Sequence, residues 1–202
     1  MIEREELTYI KNILELSNQP STIKFKLLEN IFTIFEHEPE RKEDIFDSFS
    51  ANQVKAKSLL VNHLDKLNLL NKDTEVVIFG CWYGSVLIPL ISDKVKKITC
   101  IDSDDQAITI GRNRLFYNDK RVTWITGDVF EDYRDMFDTT DIFINTSCEH
   151  MLPMKWWGPK GPRKDHDWFK EWDGDYRREW KGKDENKWPV YDIGWWERVK
   201  PT

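Results

Sequence analysis

The chain has 202 residues, 40% of them hydrophobic and 33% charged, with a net charge of −6. That mix suits a globular chain with one ordinary core and excludes collagen-like or fully disordered sequences. No apolar run approaches the roughly 20 residues of a membrane helix, so no membrane partner is expected. The acidic balance weighs against a general nucleic-acid binder. Cys81, Cys100 and Cys148 are far apart in the sequence. They form neither a disulfide framework nor a Cys-x-x-Cys metal site, and no metal is expected. With no signal peptide in MIEREELTYI, a reducing cytoplasm is the expected compartment.

Residues 1–70 read as a helical region. Ile2, Leu7, Ile10, Ile13, Leu14 and Leu16 recur at mostly three- and four-residue spacing, and Pro20 stops the pattern. Ser21 reads as the cap of a second helix with Ile23, Leu27, Leu28, Ile31, Ile34 and Phe35 on its apolar face. The charge run from His37 to Asp44 reads as a solvated loop. A third helix is expected from Asn52 to Leu67.

The period changes at Glu75. Residues 75–80, 97–102, 122–125 and 141–145 read as strands, separated by helices over 85–91 and 105–117. This alternation predicts an α/β fold with a parallel sheet. Residues 151–202 show no period. They hold eight of the ten tryptophans, interleaved with charge. Short helical pieces are expected there, and Pro189–Ile193 is the one remaining strand candidate, suited to an edge.

Three places could carry chemistry. The first strand ends in Gly80-Cys81-Trp82-Tyr83-Gly84, ahead of a helix. Such a turn lets backbone approach a ligand, or it simply makes a tight strand-to-helix connection. Asp102 ends the second strand, 22 residues after Gly80. A carboxylate there can accept both ribose hydroxyls; otherwise it caps the next helix. Gly127-Asp128-Val129 follows the third strand, either as an ordinary turn or with Asp128 accepting from an adenine amine and Val129 packing on the ring.

Taken together, Val76–Gly84, Ile101–Ser103 and Gly127–Val129 resemble class I S-adenosylmethionine-dependent methyltransferases over about residues 71–150. The resemblance implies a Rossmann-like parallel sheet and S-adenosylmethionine as cofactor. Gly80, Cys81 and Gly84 would lie by its methionine part, Asp102 and Ser103 by the ribose, and Asp128 and Val129 by the adenine, with Asn145 at the end of the fourth strand. A nicotinamide cofactor fits less well, since Trp82 stands where a pyrophosphate needs glycine.

The segment Asn145-Thr-Ser-Cys-Glu-His150 is the expected place for acceptor contacts, with Glu149 or His150 as general base. It is not the Asn/Asp-Pro-Pro-Tyr of enzymes that methylate nucleic-acid amines, so a small-molecule acceptor is favoured over a base. His150 could equally be a capping or core-edge residue. The expected organisation is a helical region (1–70), a cofactor-binding core (71–150) and a Trp-rich segment (151–202) acting as a lid or covering a sheet edge. Four strands are few for this fold, so the sheet reads as incomplete, either truncated or reduced. Its fourth strand is then an open edge through which a homo-oligomer could form. The rival function is a non-catalytic interaction protein that keeps the scaffold and binds a partner through the Trp-rich segment.

Overall fold

The computed structural model describes residues 4–16, 21–116, 119–129, 136–146 and 195–197. Helices α1 (Arg4–Glu15), α2 (Ser21–His37), α3 (Lys42–Ser48) and α4 (Ala51–Lys66) come first. Then follow β1 (Glu75–Phe79), α5 (Leu87–Ile91), β2 (Lys97–Asp102), α6 (Asp105–Ile110), β3 (Val122–Thr126), α7 (Met136–Thr139) and β4 (Ile142–Asn145). A three-residue strand, β5 (Trp195–Glu197), completes the described elements.

The sheet order is β3-β2-β1-β4-β5. The first four strands are parallel, and β5 runs antiparallel to β4. This is the α/β parallel sheet that the alternating period predicts, in the Rossmann-like form that the resemblance implies. β1 and β4 are apolar along nearly their whole length because both of their faces are buried, as parallel strands require. β3, at the edge, buries only Val122 of its five residues.

One apolar core runs from the helices into the sheet. Ile13 of α1 and Leu16 just after it, Leu27, Ile31 and Ile34 of α2, and Leu60 and Leu64 of α4 join Val76, Ile78, Ile98 and Ile144 in it. Burying each such side chain contributes about 1.5–3 kcal/mol relative to leaving it in water.

Several boundaries differ from expectation. The charge run from His37 to Asp44 is not a solvated loop. Its residues end α2, make a single 3₁₀ turn over Pro39–Arg41 and begin α3. Ile45, Phe46 and Phe49 are buried and draw the run against the core. The helix expected over 85–91 starts only at Leu87, because residues 80–86 are used in the turn. The helix expected over 105–117 is α-helical only to Ile110 and then widens into a π turn over Gly111–Leu115. The Trp124 ring presses on that turn, and a Cβ at Gly111 would lie 2.5 Å from it. β4 is not an open edge over its first three residues, since Ile142, Phe143 and Ile144 pair with Glu197, Trp196 and Trp195. The strand candidate Pro189–Ile193, like the rest of 151–194, lies outside the described residues.

Candidate functional site

In an open parallel sheet, ligands bind beyond the carboxyl ends of the strands, where the strand order reverses. Here β1 has β2 on one side and β4 on the other, so the reversal lies between β1 and β4. Phe79, Ile101 and Asn145 lie level in register at that end of the sheet. Gly80, Asp102 and Gly127 therefore follow at one end of the molecule.

The glycine turn alternates its backbone. Gly80, Trp82 and Gly84 have φ of 59°, 50° and 64°. Glycine reaches this region freely, but a bulky residue such as Trp82 is an outlier there, at a cost of roughly 1–2 kcal/mol. The turn's own hydrogen bonds hold it. The Cys81 N–H donates to Ile101 O (3.2 Å) and the Gly84 N–H to Cys81 O (2.8 Å). The Trp82 N–H donates to Asp102 Oδ2 at 2.6 Å. These three N–H groups are turned inward and are not presented to a ligand. Gly84 has a packing reason of its own, because a Cβ there would lie 2.4 Å from Ile88 Cδ1. Cys81 is buried, and loss of solvent, reinforced by neighbouring Cys100, raises its thiol pKa well above the ordinary value. It remains a neutral packing group.

Asp102 is half-buried at the end of β2. Its Oδ2 accepts from Trp82, and its Oδ1 accepts from the Asp104 N–H at 3.0 Å. It does not cap the following helix. Asp104 does so, its Oδ1 accepting from the Ala107 N–H at 2.9 Å. A carboxylate offers about four acceptor positions, so each Asp102 oxygen keeps one for a further donor. Two neighbouring hydroxyls, such as those of a ribose, fit that pair.

The third turn is tied to the same point. The Gly127 N–H donates to Asp102 O at 2.9 Å, which places Asp128 and Val129, both half-buried, immediately beyond. Ser103 is exposed beside Asp102. Asn145 is fully buried and level with Phe79. The structure thus brings together Gly80, Cys81, Gly84, Asp102, Ser103, Asp128, Val129 and Asn145. Glu149 and His150 lie outside the described residues. Among the described residues, no group of three or more His, Cys, Asp or Glu is placed to hold a metal ion, and no helix is long and apolar enough to cross a membrane.

Arg41 was missed in the sequence because it sits inside a charge run. Its side chain is only 15% exposed. Nη2 donates to Asp104 Oδ2 at 2.5 Å, Nη1 lies 3.2 Å from Asp44 Oδ2, and the guanidinium carbon sits 5.4 Å from the centroid of the Tyr83 ring. Burial alone would lower the Arg41 pKa, but the hydrogen bond to Asp104 and the nearby negative charges outweigh it and raise the pKa. Burial likewise works to raise the Asp104 pKa, and the bonds from Arg41 and from the Ala107 N–H bring it below the ordinary value. The one sequence signal was Pro39 followed by a buried apolar pair, Ile45-Phe46, which marks a helix start and not a free loop.

Residues 46–145 match the family of methyltransferase small domains, which makes this segment similar to class I methyltransferases. No curated protein matches the chain. Among solved structures, a candidate sarcosine dimethylglycine methyltransferase from Galdieria sulphuraria is 17% identical at a TM-score of 0.36, over 40% of this chain and 31% of that one. A candidate RNA methyltransferase from Pyrococcus horikoshii is 17% identical at 0.36, over 45% and 56%. The S-adenosylhomocysteine-bound methyltransferase PaMTH1 of Podospora anserina is 14% identical at 0.41, over 74% and 60%. The chain therefore spans between about a third and three fifths of these structures' own lengths.

Proposed function

We propose that the chain is an S-adenosylmethionine-dependent methyltransferase whose acceptor is a small molecule and not a nucleic-acid base. The observation that carries this is the meeting of three turns at the carboxyl end of a β3-β2-β1-β4 sheet, around an Asp102 that keeps an acceptor position on each oxygen. The match of residues 46–145 to methyltransferase small domains supports it. Asp102 would take the ribose hydroxyls, Asp128 the adenine amine with Val129 against the ring, and Gly80–Gly84 would border the methionine part. When bound, S-adenosylmethionine supplies a methyl group already activated by its sulfonium. The protein's work is then to bind, align and remove a proton.

Glu149 or His150, just beyond β4, would take the proton from the acceptor's oxygen or nitrogen. The tryptophan-rich segment would close over this end or cover the sheet edge, and the pairing of Trp195–Glu197 with β4 supports placing part of it there. A cytoplasmic setting goes with this reading. The test is release of S-adenosylhomocysteine across a panel of small hydroxyl and amine acceptors. Turnover should fall about 100-fold in Glu149→Gln or His150→Asn, the usual scale of general-base loss, with cofactor affinity kept. Cofactor binding with no turnover on any acceptor would instead favour an interaction protein on the same scaffold.

A further inference from the structure

We propose that Arg41 is a positioning residue of the cofactor site, the keystone of a closed ring that runs Arg41, Asp104, Asp102, Trp82, Tyr83 and back to Arg41. The role rests on the cofactor reading above. Each Asp102 oxygen is held by one backbone N–H, Oδ1 by that of Asp104 and Oδ2 by that of Trp82. Arg41 fixes both donors. It bonds the Asp104 carboxylate directly, and its guanidinium lies over the ring of Tyr83, the residue next to Trp82. One side chain from the helical region thus reaches the two turns that aim the proposed ribose acid.

The chemistry of arginine suits this task. A planar guanidinium can donate in its plane and stack through its face at once, which an ammonium cannot. The ring also holds Trp82 in a backbone conformation it would not adopt alone. Without Arg41, both turns relax, and a ligand must order them as it binds.

Stability alone does not account for the arrangement. Arg41 Nε and Tyr83 Oη are buried with no hydrogen-bond partner of good geometry among the described residues. An apolar junction of the same shape would avoid that cost and often matches or exceeds a buried charge in stability. The residue therefore acts on the geometry of the site besides pairing with Asp104.

The test uses the full chain, with S-adenosylhomocysteine titrated calorimetrically, urea unfolding, and hydrogen exchange of individual amides. Arg41→Met should bind roughly tenfold more weakly, the scale of one lost charge-assisted contact, and its urea midpoint should fall somewhat because Asp104 is left without its partner. Its Trp82 amide should exchange faster while the Phe143 and Ile144 amides keep wild-type rates. Arg41→Lys should recover only part of the affinity. If Arg41→Met does not fold, the lysine variant decides, and wild-type affinity in it overturns the proposal. Wild-type affinity in Arg41→Met, or faster exchange at every amide alike, also overturns it. Failure of the wild-type chain to bind would overturn the cofactor reading and the positioning role together, whereas normal wild-type binding with an unaffected Arg41→Met would overturn the positioning role alone.

Discussion

Tyr83 and Gly84 are neighbours with opposite demands. Tyr83 is fully buried, and its hydroxyl, with Arg41 nearby, has no hydrogen-bond partner of good geometry among the described residues. Burial pushes its phenol pKa up, opposed by the positive charge of Arg41, so it stays neutral through the physiological range. Removing an unpaired buried hydroxyl returns its desolvation cost. Tyr83→Phe should therefore leave the urea midpoint unchanged or raise it. Gly84→Ala should do the reverse. It places a Cβ at φ 64°, within 2.4 Å of Ile88 Cδ1, and should lose about 1–3 kcal/mol in the same measurement. A stable Gly84→Ala would mean that the turn is looser than described. Gly80, Asp102 and Asp128 were legible in the sequence because glycine turns and strand-end acids are local signals. Arg41 was not, since little in the run tells a buried arginine from its six charged or polar neighbours.

At the scale of elements, α6 shows what one acid contributes. Asp104 caps it and also receives Arg41. Its pKa is lowered in the folded chain, so the unfolded chain binds the proton more readily. Its stabilisation is thus present above the ordinary carboxylate pKa of about 4 and is lost as pH falls through the lowered folded value. Asp104→Asn keeps a capping oxygen but removes the charge. Its urea midpoint should fall less steeply than that of the wild type between about pH 5 and pH 2. Parallel slopes would show that the Arg41 pair contributes nothing measurable. The strands were legible because buried parallel strands are continuous apolar runs. The helix ends were not, because tertiary contacts set them. Trp124 meets the π turn from β3, and the widened turn after β1 delays α5.

At the scale of the molecule, the helical region and the sheet share one core, and side-chain hydrogen bonds also tie the two. Ser85 Oγ donates to Ser48 O, Asn30 Nδ2 to Leu115 O, and Gln106 Nε2 to Glu40 Oε1. The passage from α4 to β1, from helices alone to alternating strands and helices, was legible as a change of period. The closeness of Arg41 to Asp104 was not, because 63 residues separate them and no sequence pattern encodes that pairing. The central claim is that this end of the sheet binds S-adenosylmethionine through Asp102, and a thermal-unfolding titration with the wild type and Asp102→Ala tests it most directly. A ligand at 100 times its Kd adds about 2.7 kcal/mol to native-state stability, so the wild-type melting temperature should rise by several degrees at saturating S-adenosylhomocysteine, while the Asp102→Ala curve should stay in place at the same concentration. No shift in the wild-type protein at millimolar ligand, or equal shifts in both proteins, would contradict the account.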